Sequence, residues 1–213
     1  MTDANLHEAL MWGIRNSGDS ESTKDEPKMQ IGPGAVAALF AHADPRFEKP
    51  ISPKEQMENS MAAAKNKKLT VGHRVTALDN LEQIIDQLDQ ANYMMETKAL
   101  SDDLIVLLQD EEPEIRACAA RCCGVAVQNN IRTQERLLIL KAYPPLMRLA
   151  TEDTDRQVRK SAITALSSAV RNFQPGLDAA VSLAPAEFKP QEPLDAHDME
   201  SVDILINKLR DSV

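Results

Sequence analysis

The sequence predicts an all-α chain whose helical repeats stack into a solenoid, and three observations carry that prediction. Of 213 residues only seven are aromatic and seven are Gly. Ala, Leu, Met, Gln, Glu, Asp and Arg recur throughout, usage that suits helices and fits poorly with a sandwich, a barrel or a glycine-looped nucleotide fold. The segment Arg74-Val75-Thr76-Ala77-Leu78 then returns as Arg116-Ala117-Cys118-Ala119-Ala120 and Arg159-Lys160-Ser161-Ala162-Ile163, with the arginines 42 and 43 residues apart. The same offsets superpose Ala77, Ala119 and Ala162; Leu81, Cys123 and Leu166; Ile84, Ala126 and Ala169; and Ile85, Val127 and Val170. Four small or apolar positions at helical spacing define one buried stripe on each long helix. A period near 42 residues, built as short helix, helix, acidic turn and long helix, is that of a right-handed armadillo or HEAT-like α-solenoid.

In chain order, residues 1–17 read as an amphipathic helix with Leu6, Leu10, Met11 and Ile14 on one side and Trp12 nearby. Residues 18–53 hold five of the twelve prolines and the Gly32-Pro33-Gly34 turn, and read as a mobile linker. The solenoid, about three repeats, spans residues 54–183 and opens on a helix that starts near Pro53 and carries Met57, Met61 and Ala64. Residues 184–197, with Pro185, Pro190 and Pro193, read as a second linker. Residues 198–213 place Val202, Leu205, Ile206 and Leu209 at i, i+3, i+4 and i+7, an amphipathic helix expected to cover the apolar end of the last repeat. A coiled coil is excluded because Pro113, Pro144, Pro145 and Pro175 interrupt any heptad register.

Composition also narrows the function. The formal net charge is −9, from 24 Lys and Arg against 33 Asp and Glu, which argues against a nucleic-acid partner. Residues 61–173 hold 15 acidic and 15 basic side chains, so the excess acid lies in the two flanks and the solenoid is charge-balanced. No apolar run reaches membrane-spanning length and no signal peptide is readable, so the expectation is a cytoplasmic chain, with a nuclear pool as the alternative, and no membrane partner. The four histidines are scattered, and Cys118, Cys122 and Cys123 lack the further ligands that zinc needs. They read as small core residues. Gly32-Pro33-Gly34 has neither a preceding strand nor a following Gly-Lys-Ser/Thr, so it is no phosphate loop. The expectation is a monomeric, non-catalytic binding protein that needs no cofactor and no metal.

The binding surface follows from the repeat. Side chains one position off the buried stripe should point into the concave face: Asp79, Gln83, Asp86 and Gln87 in the first copy; Arg121, Val125, Gln128 and Asn129 in the second; Thr164, Ser168, Arg171 and Asn172 in the third. Mixed carboxylates, amides and arginines suit a hydrogen-bonding protein surface better than an apolar peptide groove.

The stretches from Ala77 to Tyr93, Ile115 to Asn130 and Val158 to Phe173, joined by Leu10-Met11-Trp12-Gly13-Ile14-Arg15-Asn16-Ser17 and the block Gln56 to Ala63, resemble the fungal Fes-type and animal HspBP-type nucleotide exchange factors. That resemblance implies a partner, the nucleotide-binding domain of a 70-kDa heat-shock chaperone, gripped so that its cleft opens and ADP leaves. It also implies that the N-terminal segment, here Leu10, Met11, Trp12 and Ile14, aids client release as a client-like apolar stretch. The alternative is a general armadillo adaptor without exchange activity.

Overall fold

In the computed structural model, residues 51–213 are described, and among them lie ten α-helices and no strand. The N-terminal helix and most of the linker expected over residues 18–53 lie outside the described residues, as do Leu10, Met11, Trp12 and Ile14. The helices are α1 (Pro53–Lys65), α2 (Val71–Ile85), α3 (Leu88–Glu96), α4 (Lys98–Leu107), α5 (Pro113–Val127), α6 (Ile131–Ile139), α7 (Tyr143–Glu152), α8 (Arg156–Val170), α9 (Gln174–Leu183) and α10 (Met199–Asp211). Local chemistry sets their starts. Ser52 and Thr70 accept from the backbone N–H three residues on, Asp155 and Asp198 cap α8 and α10, and Pro113 opens α5 where its missing N–H costs nothing.

The long helices α2, α5, α8 and α10 pack one against the next, and each of the other helices packs against one or more of them. Every member of the aligned stripe is buried except Ile84, which is half-exposed. Small side chains permit the close stacking: a Cβ on Gly124 of α5 would lie 3.1 Å from the Cα of Ala165 on α8. The three cysteines are free and buried in this core. Burial pushes the Cys118 thiol up, the Cys122 thiol well up and the Cys123 thiol to about 12. They are protonated packing residues at neutral pH.

Arginines tie the repeats together. Arg74 donates from Nε to the Ala64 carbonyl at 2.6 Å and forks onto Asp110, with Nη2 to Oδ2 at 2.5 Å. Arg116, its counterpart, donates to the Asp110 and Glu111 carbonyls at 2.9 Å and forks onto Asp153 at 2.8 and 2.9 Å. Arg159 donates to the Asp153 and Thr154 carbonyls. Arg116 and Arg159 thus close the turn before their own helices, Arg74 ties its helix to the last turn of α1, and the first two arginines also reach the acidic turn of the next repeat. Asp110 and Asp153, 43 residues apart, each accept a backbone N–H two residues on. Asn66 and Asp195 do the same in the flanking copies.

The fourth copy has α9 and α10 but no helix between them. Residues 184–198 run irregularly and are tied to α9 and its N-terminal turn: Asn172 N donates to the Ala196 carbonyl at 2.8 Å, while Gln174 donates to Leu194 O and accepts from Ala196 N. The helix α10 buries Val202, Leu205, Ile206 and Leu209 and packs on α8.

Candidate functional site

The long-helix face is built from side chains one position off the buried stripe. Gln83 and Thr164 are exposed there, and Asp79, Val125 and Ser168 are half-buried. Arg121 links two repeats across it, donating from Nη2 to Asp79 at 2.5 Å and from Nε to Glu82 at 2.9 Å. Burial opposes its charge, but the hydrogen bond to Glu82 and the attraction of both carboxylates outweigh that and hold it protonated.

Six of the expected face residues lie past the helix ends rather than on the helices, because α2, α5 and α8 stop at Ile85, Val127 and Val170. Asp86, Gln128 and Arg171 are C-cap residues, and Gln87 begins α3 as its N-cap. Asn129 and Asn172 take left-handed backbone, φ 52° and 57°, a conformation asparagine tolerates better than most residues. The chain therefore turns sharply at the end of α5 and of α8, and Gln134 fixes the second turn by donating to the carbonyls of Ser168 and Arg171. Arg171 crosses to α10, pairing with Asp203 and donating to Ser167 Oγ at 3.2 Å and Met199 Sδ at 3.0 Å. Residues brought together on the helices are thus Asp79, Gln83, Arg121, Val125, Thr164 and Ser168, with the remainder forming an edge of turns beside them.

Glu82 and Asp203 were not among the expected face residues, yet they hold its two arginines. Glu82 is legible only once Arg121 is known to reach back one repeat. Asp203 belongs to a copy in which the arginine signature is absent. Among the described residues no group of three or more His, Cys, Asp and Glu could hold a metal ion, and no helix is long and apolar enough to cross a membrane.

The acids of the arginine ladder make a pH prediction. Burial alone would raise Asp110 and Asp153, but the hydrogen bonds from Arg74 and Arg116, with those from the Glu112 and Asp155 N–H groups, bring both below the ordinary 3.8. A carboxylate depressed by folding contributes stability above its unfolded pKa and loses it as pH falls through the folded value. The thermal midpoint should therefore fall steeply below about pH 4. In Asp110→Asn that acid-side fall should be shallower, read by circular dichroism melts across pH.

With the face described, similarity to known proteins decides the family. The Hsp70 nucleotide exchange factor FES1 of Coccidioides immitis is 38% identical over 98% of this chain and 98% of its own. The chain belongs to the Fes1 family of nucleotide exchange factors. A Fes1 family model, described as nucleotide exchange factor Fes1, matches residues 6–94, and HEAT repeats match residues 73–167 and 101–184. Two further Fes1 relatives are similar end to end: one from Gibberella zeae at 37% identity, covering 100% of this chain and 99% of its own, and one from Neurospora crassa at 35%, covering 98% and 97%. The Fes1 match over residues 6–94 takes in α1, α2 and most of α3, and the HEAT matches span the aligned long helices α2, α5 and α8.

Proposed function

We propose that this chain accelerates ADP release from a cytosolic Hsp70 by binding the chaperone's nucleotide-binding domain through the long-helix face, with no covalent chemistry of its own. The observation that carries the proposal is the end-to-end similarity to an Hsp70 nucleotide exchange factor, 38% over 98% of both chains. The face, with its amides, hydroxyls and paired arginines, supports it, since such a surface recognises a folded, polar partner. Exchange requires the face to bind the open nucleotide cleft more tightly than the closed one. Shifting a cleft from 1:99 to 99:1 open takes a preference of about 10⁴-fold, and equal affinity for both states would shift nothing. The chain acts as a monomer in the cytoplasm, and Leu10, Met11, Trp12 and Ile14 supply a client-like apolar stretch that hastens polypeptide release.

Stopped-flow fluorescence of labelled ADP leaving Hsp70 tests the proposal. The expected result is a release rate that climbs with protein concentration and saturates. A rate unchanged at saturating protein would overturn it.

A further inference from the structure

Two of the expected face residues are arginines, and a carboxylate from a neighbouring helix holds each of them. For Arg121 the carboxylates come from α2, which itself contributes to the face. For Arg171 the carboxylate is that of Asp203 on α10, a helix that carries no expected face residue. Three groups converge on the Arg171 guanidinium: Ser167 Oγ accepts from Nε at 3.2 Å, Met199 Sδ accepts from Nη1 at 3.0 Å, and Asp203 Oδ1 accepts from Nη2. The Arg171 side chain is nonetheless 27% exposed, so a partner can touch it while its rotamer is fixed.

Other groups already hold the elements that these contacts join. The helix α10 is anchored by burying Val202, Leu205, Ile206 and Leu209. Gln134 fixes the end of α8 through the Ser168 and Arg171 carbonyls, and Asn172, Gln174 and Ala196 tie down the strap. An ion pair as exposed as Arg171 with Asp203, at 27% and 37%, adds little to stability. What the three contacts do is remove the freedom of a long side chain before any partner arrives. Arginine is among the side chains that lose most freedom on being ordered, and a surface whose side chains are ordered in advance binds more tightly for the same contacts.

We infer that Asp203 is a positioning residue for chaperone binding: from α10 it fixes the Arg171 guanidinium at the edge of the long-helix face, in the orientation in which Arg171 meets Hsp70. The inference rests on the exchange reading and makes the C-terminal helix part of the binding machinery. The experiment is stopped-flow ADP release from Hsp70 against the concentration of the full chain, with neutral variants that remove the pair without setting like charges side by side. Arg171→Met should raise the half-saturating concentration about tenfold or more, as loss of an arginine anchor does. Asp203→Ala should raise it about fivefold, the effect of freeing one long side chain. Asp203→Asn keeps an oxygen that accepts from Nη2 and should stay within about twofold of the wild type. The maximal rate and the thermal midpoint should not change. In the Arg171→Met background, adding Asp203→Ala should have no further effect, because Asp203 acts through Arg171 alone. Wild-type half-saturation in Asp203→Ala, or an equal loss from Asp203→Ala in both backgrounds, as a role in packing alone would give, would overturn the inference and leave the exchange reading standing. A wild-type chain that fails to accelerate release would overturn both.

Discussion

Asp110→Ala should lower the stability of the chain by about 3–5 kcal/mol, the cost of leaving a buried charge without its partner. The side chains of Arg74 and Asp110 are 4% and 6% exposed, so water cannot take the place of the lost carboxylate. Arg74 would keep only its bond to the Ala64 carbonyl, and the turn before α5 would lose the Asp110 bond to the Glu112 N–H. The loss also reaches Arg116, whose Nη1 is held by the Asp110 and Glu111 carbonyls of the same turn. Because a buried ion pair contributes less than its rupture costs, Arg74→Met combined with Asp110→Leu should recover much of the loss. Urea denaturation of the wild type and these two variants distinguishes the cases. A loss below about 1 kcal/mol in Asp110→Ala, as expected for a surface pair, would refute the structural role of this ladder.

Gly176→Ala should destabilise by about 2–4 kcal/mol, a large effect for one methyl group, because no space receives it. A Cβ there would stand 2.3 Å from the Tyr143 hydroxyl and 2.6 Å from Phe173 Cδ1. Tyr143 is 1% exposed and its hydroxyl donates to the Ala169 carbonyl at 2.9 Å, so relief requires breaking a buried hydrogen bond. The double variant Gly176→Ala with Tyr143→Phe should be less destabilised than the sum of the single variants, since the phenylalanine vacates the hydroxyl position. Additive losses in thermal melts would place the strain at Phe173 instead.

Much of the fold is legible because stacking leaves a periodic trace. The alanines and their aligned partners recur every 42 or 43 residues, since adjacent long helices can approach only over small side chains, as Gly124 against Ala165 shows. The arginines at 74, 116 and 159 recur for another reason, each bonding a backbone carbonyl in the segment that precedes its helix. Their acidic partners do not stand out in the sequence. Asp110 and Asp153 stand among other acids in turns, and only the geometry separates them from exposed neighbours such as Glu111. The fourth copy is hidden in the sequence because an irregular strap replaces its middle helix and its long helix lacks the arginine. The face was legible along α2, α5 and α8 but not at their ends. Periodicity continues on paper through Asp86, Gln128 and Arg171, whereas the backbone stops the helices there and turns through left-handed Asn129 and Asn172 after α5 and α8.

That geometry also decides which residues can test the face. Charge reversal at Arg121 or Arg171 would break the links to Asp79, Glu82 and Asp203, confounding binding with stability. Thr164 and Gln128 are exposed, and among the described residues their side chains bond no neighbouring repeat. The central claim is therefore tested most directly by ADP release from Hsp70 in the presence of Thr164→Arg with Gln128→Arg. The account predicts that acceleration falls at least about tenfold at subsaturating protein, equivalent to about 1.4 kcal/mol of lost binding, with the thermal midpoint unchanged. Full acceleration by that variant would contradict the assignment of the long-helix face.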